Sequence, residues 1–215
     1  LELRRRAGVI DGDFVFLAGS TQAPEESWAI EVFRQLSPSL PQLRLILVPR
    51  HAERFDEVAA LLDRSGLSWE RRSRWSSQAA AQPRPRILLV DAIGELGAWW
   101  GVADVGFVGG STGSRGGQNM IEPAAYGVAT CFGPKTHNFR DIVELLLASD
   151  AAKVIYTRDD LAAFVAQMAA KPHKRREMGQ RAAQVVARQR GAAQKSVEML
   201  SLLLESDAQR KRRAA

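Results

Sequence analysis

Residues 109–117, followed closely by Asn119 and Glu122, carry the clearest chemical signal in the sequence. They come after a short apolar run at 103–108 that is typical of a buried strand. A glycine-rich turn that leads into a helix leaves backbone N–H groups at the positive end of the helix dipole, which suits a phosphate. Glu122, about one turn into a helix predicted from Gln118, could accept hydrogen bonds from a ribose diol. Glycines after a strand can also be plain turn residues, so the loop alone does not decide its role.

The same pattern of polar or glycine residues directly after an apolar run recurs along the chain. The loops with this pattern cover residues 19–21, 49–51, 91–96, 109–117 and 133–138. In an open parallel sheet, ligands bind outside the carboxyl ends of the strands, so these loops are expected to meet at one edge. Arg50 could form a bidentate contact with a phosphate there, or serve as a surface ion-pair partner. For His51 and Glu95, the alternative role is at the start of a helix.

Strands and helices alternate around these loops. Apolar runs predict strands at 13–18, 43–48, 87–90, 103–108, 128–132 and 153–156, with a short edge strand at 67–71 and a polar loop at 73–85. Helical spacing predicts helices at about 24–36, 52–65, 96–102, 138–148, 159–170 and 174–190, and a last helix to about 204. This alternation predicts an α/β fold, a Rossmann-like doubly wound parallel sheet. Residues 1–12 are expected to be a linker, 13–205 the domain and 206–215 a basic tail.

Composition narrows the class of protein. The 46% hydrophobic and 25% charged residues are those of a globular domain, and no apolar run approaches the roughly 20 residues that span a bilayer. Cys131, the one cysteine, is expected in the core, as are Trp99 and Trp100. The three histidines are scattered, so no metal site is expected. The net charge of +6 comes from basic clusters without interleaved aromatic residues, so no nucleic-acid partner is expected.

Six motifs follow one another through most of the chain. They are GST…EE at 19–26, PRHxERF at 49–55, DxxGEL at 91–96, ADxxFVGGS at 103–111, GGxNxxEP at 116–123 and GPxTxNF at 133–139. In this order they resemble the C-terminal domain of bacterial 3-deoxy-D-manno-octulosonic acid (Kdo) transferases. Those enzymes are GT-B glycosyltransferases that transfer Kdo from CMP-Kdo to a lipid A precursor in lipopolysaccharide biosynthesis. The resemblance implies one half of a GT-B fold and an inverting, metal-independent transfer without a cofactor.

The resemblance also implies which residues hold the CMP part of the donor. They are Arg50, His51, Ile93, Gly94, Glu95, Gly116, Gly117, Asn119, Met120, Ile121 and Glu122. Residues 50 and 51 would lie near the nucleotide, the backbone of 93–95 would approach the base or sugar, and 119–122 would frame the ribose and phosphate. Family members often have histidine where this sequence has Gln22, Gln118 and Lys135, so those positions offer no titratable imidazole.

The resemblance extends to partners and location. The donor substrate would be CMP-Kdo, and a lipid A precursor would bind through an N-terminal domain that also supplies a glutamate general base. No part of the chain corresponds to that domain, so the isolated chain is expected to bind nucleotide but to lack transferase activity. Glu25 and Glu26 are expected in a first helical turn, where the dipole stabilises the ionised carboxylate and makes it a weaker base. The location would be the cytoplasmic face of the inner membrane, where the basic clusters could contact anionic lipid.

Two alternatives remain open from the residues. A GT-B domain that uses a UDP-sugar for transfer or epimerisation would need the same loop-to-helix phosphate site. A non-enzymatic domain could instead use its basic surface on nucleic acid or membranes, with a steep dependence on salt.

Overall fold

The described part of a computed structural model, residues 2–75, 84–189, 199 and 201, contains one parallel seven-stranded sheet with helices on both faces. The strands are β1 (Phe14–Thr21), β2 (Leu43–Pro49), β3 (Trp69–Arg71), β4 (Ile87–Leu89), β5 (Val105–Val108), β6 (Ala129–Phe132) and β7 (Ala152–Val154). The helices are α1 (Glu2–Arg6), α2 (Glu25–Leu36), α3 (Phe55–Ser65), α4 (Leu96–Trp100), α5 (Ile121–Ala125), α6 (Arg140–Ala148) and α7 (Arg158–Ala170), and residues 172–189 are also helical. The predicted doubly wound α/β fold is confirmed.

The sheet is buried on both faces, which explains why its strands are continuous apolar runs. All eight residues of β1 are buried. Phe14 and Phe16 pack with α2, α3 and α7 on one face, whereas Val15 and Leu17 pack with α4, α6 and the helical residues 172–189 on the other.

Trp99 and Trp100 are fully buried, as predicted for core residues. The ring of Trp100 lies so close to β1 and β5 that a Cβ atom would come within 2.6 Å of it at Gly19 and 2.8 Å at Gly106. These two glycines therefore make the space that the ring occupies. Cys131 on β6 is buried as well, and burial raises the pKa of its thiol.

The strand order is β3-β4-β2-β1-β5-β6-β7. The chain builds outward from β1 on one side and then returns to place β5 on the other side, so the order reverses between β1 and β5. Ligands of open parallel sheets bind in the crevice outside the carboxyl ends of the strands at such a reversal. A ligand site is therefore expected beside the loops that follow β1 and β5.

Three local predictions differ from the structure. Residues 2–12, expected as a linker, contain α1 and contribute Ala7 and Val9 to the core. The last strand is Ala152–Val154 and therefore lies slightly before the predicted 153–156. The helix predicted from Gln118 begins only at Ile121. Parts of the predicted polar loop (76–83) and last helix (from 190), and all of the basic tail (206–215), lie outside the described residues.

Candidate functional site

A cleft of about 350 Å³ lies at the carboxyl edge of the sheet, beside the reversal between β1 and β5. Its lining residues are Ser20, Arg50, Gly94, Leu96, Gly97, Trp100, Val108, Gln118, Asn119, Glu122 and Phe139. Four predicted site residues are thus brought together, from the ends of three different loops. The lining carries one cationic and one anionic side chain, Arg50 and Glu122, on a partly apolar floor.

Arg50 follows β2 directly, and its backbone N–H donates to the carbonyl of Thr21 at the end of β1, at 3.0 Å. This bond fixes the backbone of residue 50 beside the sheet reversal. The side chain is exposed at the cleft. A permanently charged guanidinium with five N–H donors in that position can bind a phosphate oxygen pair.

Asn119 orients Glu122, the other charged side chain of the cleft. Its Nδ2 donates to Oε1 of Glu122 at 3.1 Å, and its Oδ1 accepts from the backbone N–H of Ile121 at 3.0 Å. The amide is therefore fixed at both ends, and it orients a carboxylate that keeps further acceptor capacity. Such a carboxylate can accept hydrogen bonds from two neighbouring hydroxyl groups.

The bond from Ile121 to Asn119 lies at the start of α5. Residues 116 and 117 have φ of +81° and +84°, outside the helical region, and the Asn119 side chain then caps the first turn in place of a helical carbonyl. Gly127, at φ +70°, follows the last turn. With five residues, α5 lacks the length on which the predicted dipole contribution to phosphate binding depended.

Met120 and Ile121 do not join the cleft lining. Met120 is fully buried in the core beneath the loop. Ile121 lies in a separate apolar groove with Ile142 and Leu145 of α6. Their side chains therefore support the loop rather than face the cleft.

The glycine-rich loop is occupied by a carboxylate of the same chain. Glu25, only 1% exposed, accepts hydrogen bonds from the backbone N–H groups of Gly110, Ser111 and Thr112, at 2.7, 3.0 and 3.1 Å. It also accepts from the Thr112 hydroxyl at 2.9 Å and from the backbone N–H of Gln22 at 3.0 Å. Three of the loop amides that could have bound a phosphate, those of residues 110–112, are thus already paired with Glu25.

Gly116 and Gly117 pack the loop against the 3-10 turn His137–Phe139. The N–H of Gly117 donates to the carbonyl of Gly110 at 2.8 Å, and the carbonyl of Gly116 accepts from the N–H of Asn138 at 3.0 Å. Gly116 has φ of +81°, and a Cβ atom there would lie 2.4 Å from Nε2 of His137, so any other residue would be strained at this position. Neither residue lines the cleft.

Glu26 is also buried, and it pairs with Arg54 of the turn after β2. Burial raises the pKa of the Glu26 carboxyl, although the backbone N–H and the charge of Arg54 act in the opposite direction. Glu26 does lie in the first turn of α2, as predicted. The expectation that this position makes it a weaker base is wrong, because desolvation raises its pKa.

His51, Ile93 and Glu95 lie around the cleft without lining it. His51 is partly exposed, with Nδ1 3.9 Å from Oε1 of Glu53. Ile93 is 70% exposed. The Glu95 carboxylate is bound by Arg72 at 2.9 and 3.0 Å and accepts from Nε1 of Trp99 at 3.2 Å. Its side chain makes no cap bond to α4, so the alternative role of capping is not seen.

Relatives of known function share this domain. No protein-family model matches the chain. It is 34% identical over 86% of its length to a 3-deoxy-D-manno-octulosonic acid transferase from Bordetella pertussis. It is also 31% identical to the C-terminal CMP-Kdo binding domain of WaaA from Acinetobacter baumannii, with a TM-score of 0.77 over 94% of that crystal structure. The chain belongs to the Kdo transferase family.

Within the Kdo transferase family, the chain corresponds to the C-terminal, Rossmann-like half of a GT-B glycosyltransferase. It spans 44% of the length of the Bordetella pertussis relative. A UDP complex of Anabaena Alr3699/HepE has a TM-score of 0.65 at 16% identity, which shows a shared fold and no more.

The three positions at which the resemblance implies histidine have distinct locations in this Kdo transferase domain. Gln118 lines the cleft. The backbone N–H of Gln22 donates to Glu25. Lys135 donates its backbone N–H to the carbonyl of Ser111 at 2.8 Å, and its side chain borders a separate surface pocket with His137 and Arg140. Only the first of the three positions is therefore placed to contact a ligand in the cleft.

The described residues contain no group of three or more His, Cys, Asp or Glu side chains that could hold a metal ion. In the same part of this Kdo transferase domain, no helix is long and apolar enough to span a bilayer.

Proposed function

We propose that the cleft beside Arg50 and Glu122 binds the CMP part of CMP-Kdo. We propose further that the protein containing this domain transfers Kdo to a lipid A precursor, with inversion and without a metal ion or organic cofactor. The observation that carries the proposal is the convergence of Arg50, Gly94, Asn119 and Glu122 on one cleft. Its support from relatives is the 31% identity to a CMP-Kdo binding domain.

Each part of CMP has a matching group in this arrangement. Arg50 binds the phosphate and stabilises the negative charge that develops on it as CMP departs. Glu122, oriented by Asn119, accepts hydrogen bonds from the ribose hydroxyl groups. The exposed loop at 91–95, with Gly94 in the cleft lining, approaches the base with its backbone groups. The base that activates the acceptor hydroxyl belongs to the other half of the GT-B fold.

Calorimetric titration of the chain with CMP, UMP and UDP tests the proposal. CMP is expected to bind at least about tenfold more tightly than either uridine nucleotide, which corresponds to roughly 1.4 kcal/mol. Tighter binding of UDP than of CMP would support a UDP-sugar-dependent GT-B enzyme instead. Binding of nucleic acid, but of no nucleotide, would support the non-enzymatic alternative.

The same titration of Glu122→Ala examines the ribose contact. A charge-assisted hydrogen bond contributes roughly 1.5–3 kcal/mol, so CMP binding is expected to weaken about 10- to 150-fold. Glu144→Ala removes an exposed carboxylate of α6 outside the cleft and is the matched control. If Glu122→Ala is folded and binds CMP like the parent chain, the carboxylate does not hold the ribose.

We also propose that the protein works at the cytoplasmic face of the inner membrane, near its lipid acceptor. The support is the net charge of +6 and the cluster at Arg210, Lys211, Arg212 and Arg213. Each basic residue near an anionic surface contributes about 1 kcal/mol of attraction. Co-sedimentation with anionic vesicles is expected to exceed that with neutral vesicles and to fall when the four residues are changed to serine. Equal recovery with both vesicle types would contradict the proposal.

A further inference from the structure

The loop at 91–95 is held at both ends by the chain segment that follows the edge strand β3. At one end, the Asp91 carboxylate accepts from the backbone N–H and the hydroxyl of Ser73, at 2.8 and 2.6 Å. At the other end, the Glu95 carboxylate accepts from Nε and Nη2 of Arg72, at 3.0 and 2.9 Å. Two neighbouring residues of the 3-10 turn Arg72–Arg74 thus bind the two ends of one loop.

Arg72 is itself fixed to the core. Its guanidinium carbon lies 5.0 Å from the centre of the Trp75 ring, and that ring meets the fully buried Trp99 edge-on at 6.0 Å. Trp99 also donates to Glu95 at 3.2 Å. A bidentate pair of this kind has one favourable geometry, so Arg72 fixes the position of Glu95, and with it this end of the loop, relative to the core.

Between the two anchored ends, residues 93 and 94 of the loop are exposed. Ile93 is 70% exposed, and Gly94 has φ of +84°, a conformation that glycine adopts freely. Yet Gly94 lines the same cleft as Asn119 and Glu122. The direction in which the loop backbone faces the cleft is therefore set at its ends, by Arg72 and Ser73.

We propose that Arg72 is a positioning residue that makes the nucleotide site selective for cytosine over uracil. The proposal rests on the proposed function, since it assumes that the loop at 91–95 faces the base. Cytosine and uracil differ in the donor and acceptor groups at two adjacent ring positions, so backbone groups can distinguish them only if they are held in fixed directions. Binding of phosphate and ribose depends on Arg50 and Glu122, which Arg72 does not contact in the described residues.

Arg72→Ala tests this role through two measurements on the full chain. In calorimetry, the affinity for CMP is expected to fall about tenfold while that for UMP changes less than threefold, so the ratio of the two affinities approaches one. In hydrogen exchange without nucleotide, the amides of residues 91–95 are expected to exchange faster. Arg74→Ala, which changes an exposed arginine of the same turn, is the matched control for both.

Arg72→Gln keeps most of the side-chain length and replaces the alanine variant if that variant does not fold. A CMP-to-UMP ratio within threefold of the parent value, or unchanged exchange at 91–95, would overturn the role of Arg72. If the parent chain itself shows no preference for CMP, the proposed function fails, and the selectivity role fails with it. The exchange measurement separates the two cases, because it reports on the anchoring of the loop whatever the ligand is.

Discussion

The 215-residue chain, incubated with CMP-Kdo and a lipid A precursor, is expected to yield no glycosylated lipid, even where it binds the nucleotide. The reason is the state of its carboxylates. Glu25 is fully engaged with the glycine-rich loop, and Glu26 is buried against Arg54. Glu122 remains the carboxylate of the cleft lining, and it is turned toward Asn119. Glu25 and Glu26 are therefore not free to take a proton from an acceptor hydroxyl, and Glu122 is proposed to hold the ribose of the donor instead.

The size of the expected loss follows from two contributions. Loss of a general base typically costs about 10²- to 10⁴-fold in rate. A GT-B site lies between two domains, so the chain alone also lacks the wall that positions the acceptor, a contribution of up to roughly 7–11 kcal/mol. Together they place transfer below detection.

Mass spectrometry of the lipid fraction, compared with a reaction without protein, is the measurement. A calorimetric titration with CMP on the same preparation controls for folded, binding-competent protein. Product above the blank would contradict the prediction. If that product disappeared in Glu122→Gln while the affinity for CMP stayed within threefold of the parent value, the cleft carboxylate would be identified as a base.

Glu25→Ala is expected to destabilise the chain by about 3–5 kcal/mol, the largest effect of any single substitution proposed. Removal of the carboxylate leaves the N–H groups of Gly110, Ser111 and Thr112 without their acceptor, and each buried, unpaired polar group costs about 1–3 kcal/mol. Because the free energy of unfolding of a domain is roughly 5–15 kcal/mol, this loss is a large fraction of the total stability. Urea unfolding at fixed pH measures it.

Glu25→Gln is a second test, because both oxygens of the Glu25 carboxylate accept hydrogen bonds from backbone N–H groups. One accepts from Gly110 and Gln22, and the other accepts from Ser111 and Thr112. Either orientation of a glutamine therefore turns an NH₂ group toward an N–H donor, so most of the loss is expected to persist. Glu31→Ala, a partly exposed position of the same helix whose ion pair with Arg34 lies on the surface, is the control and should stay within about 0.5 kcal/mol of the parent. A loss below about 1 kcal/mol in Glu25→Ala would contradict the account.

The features that could be predicted from the sequence are those that depend on residues close to one another along the chain. Apolar runs predicted the central strands, because strands buried on both faces need no alternation. The motif order identified the family and placed Arg50, Gly94, Asn119 and Glu122 in one site. The late start of α5 was not predicted. The backbone N–H of Ile121 donates to the side chain of Asn119 rather than to a preceding backbone carbonyl, and glycine spacing alone does not reveal such a bond.

What could not be predicted depends on contacts between distant segments. Glu25 and Gly110 are 85 positions apart, and they meet because β1 and β5 are adjacent, which the sequence does not state. Without that adjacency, an acidic pair before an apolar run predicts an ordinary first helical turn. The bond between Arg72 and Glu95 depends in the same way on the pairing of β3 with β4.

The carboxylate of Glu25 affects both the association rate of a nucleotide and the entropic cost of binding it in the cleft. Since an internal anion already satisfies the amides of residues 110–112, this part of the glycine-rich loop has its final shape in the empty domain. A nucleotide that arrives does not have to order this segment, and each side chain or loop residue that need not be immobilised spares the complex part of its free-energy cost. Association should then proceed as a simple encounter with a pre-formed surface, with one kinetic phase whose rate rises linearly with nucleotide concentration.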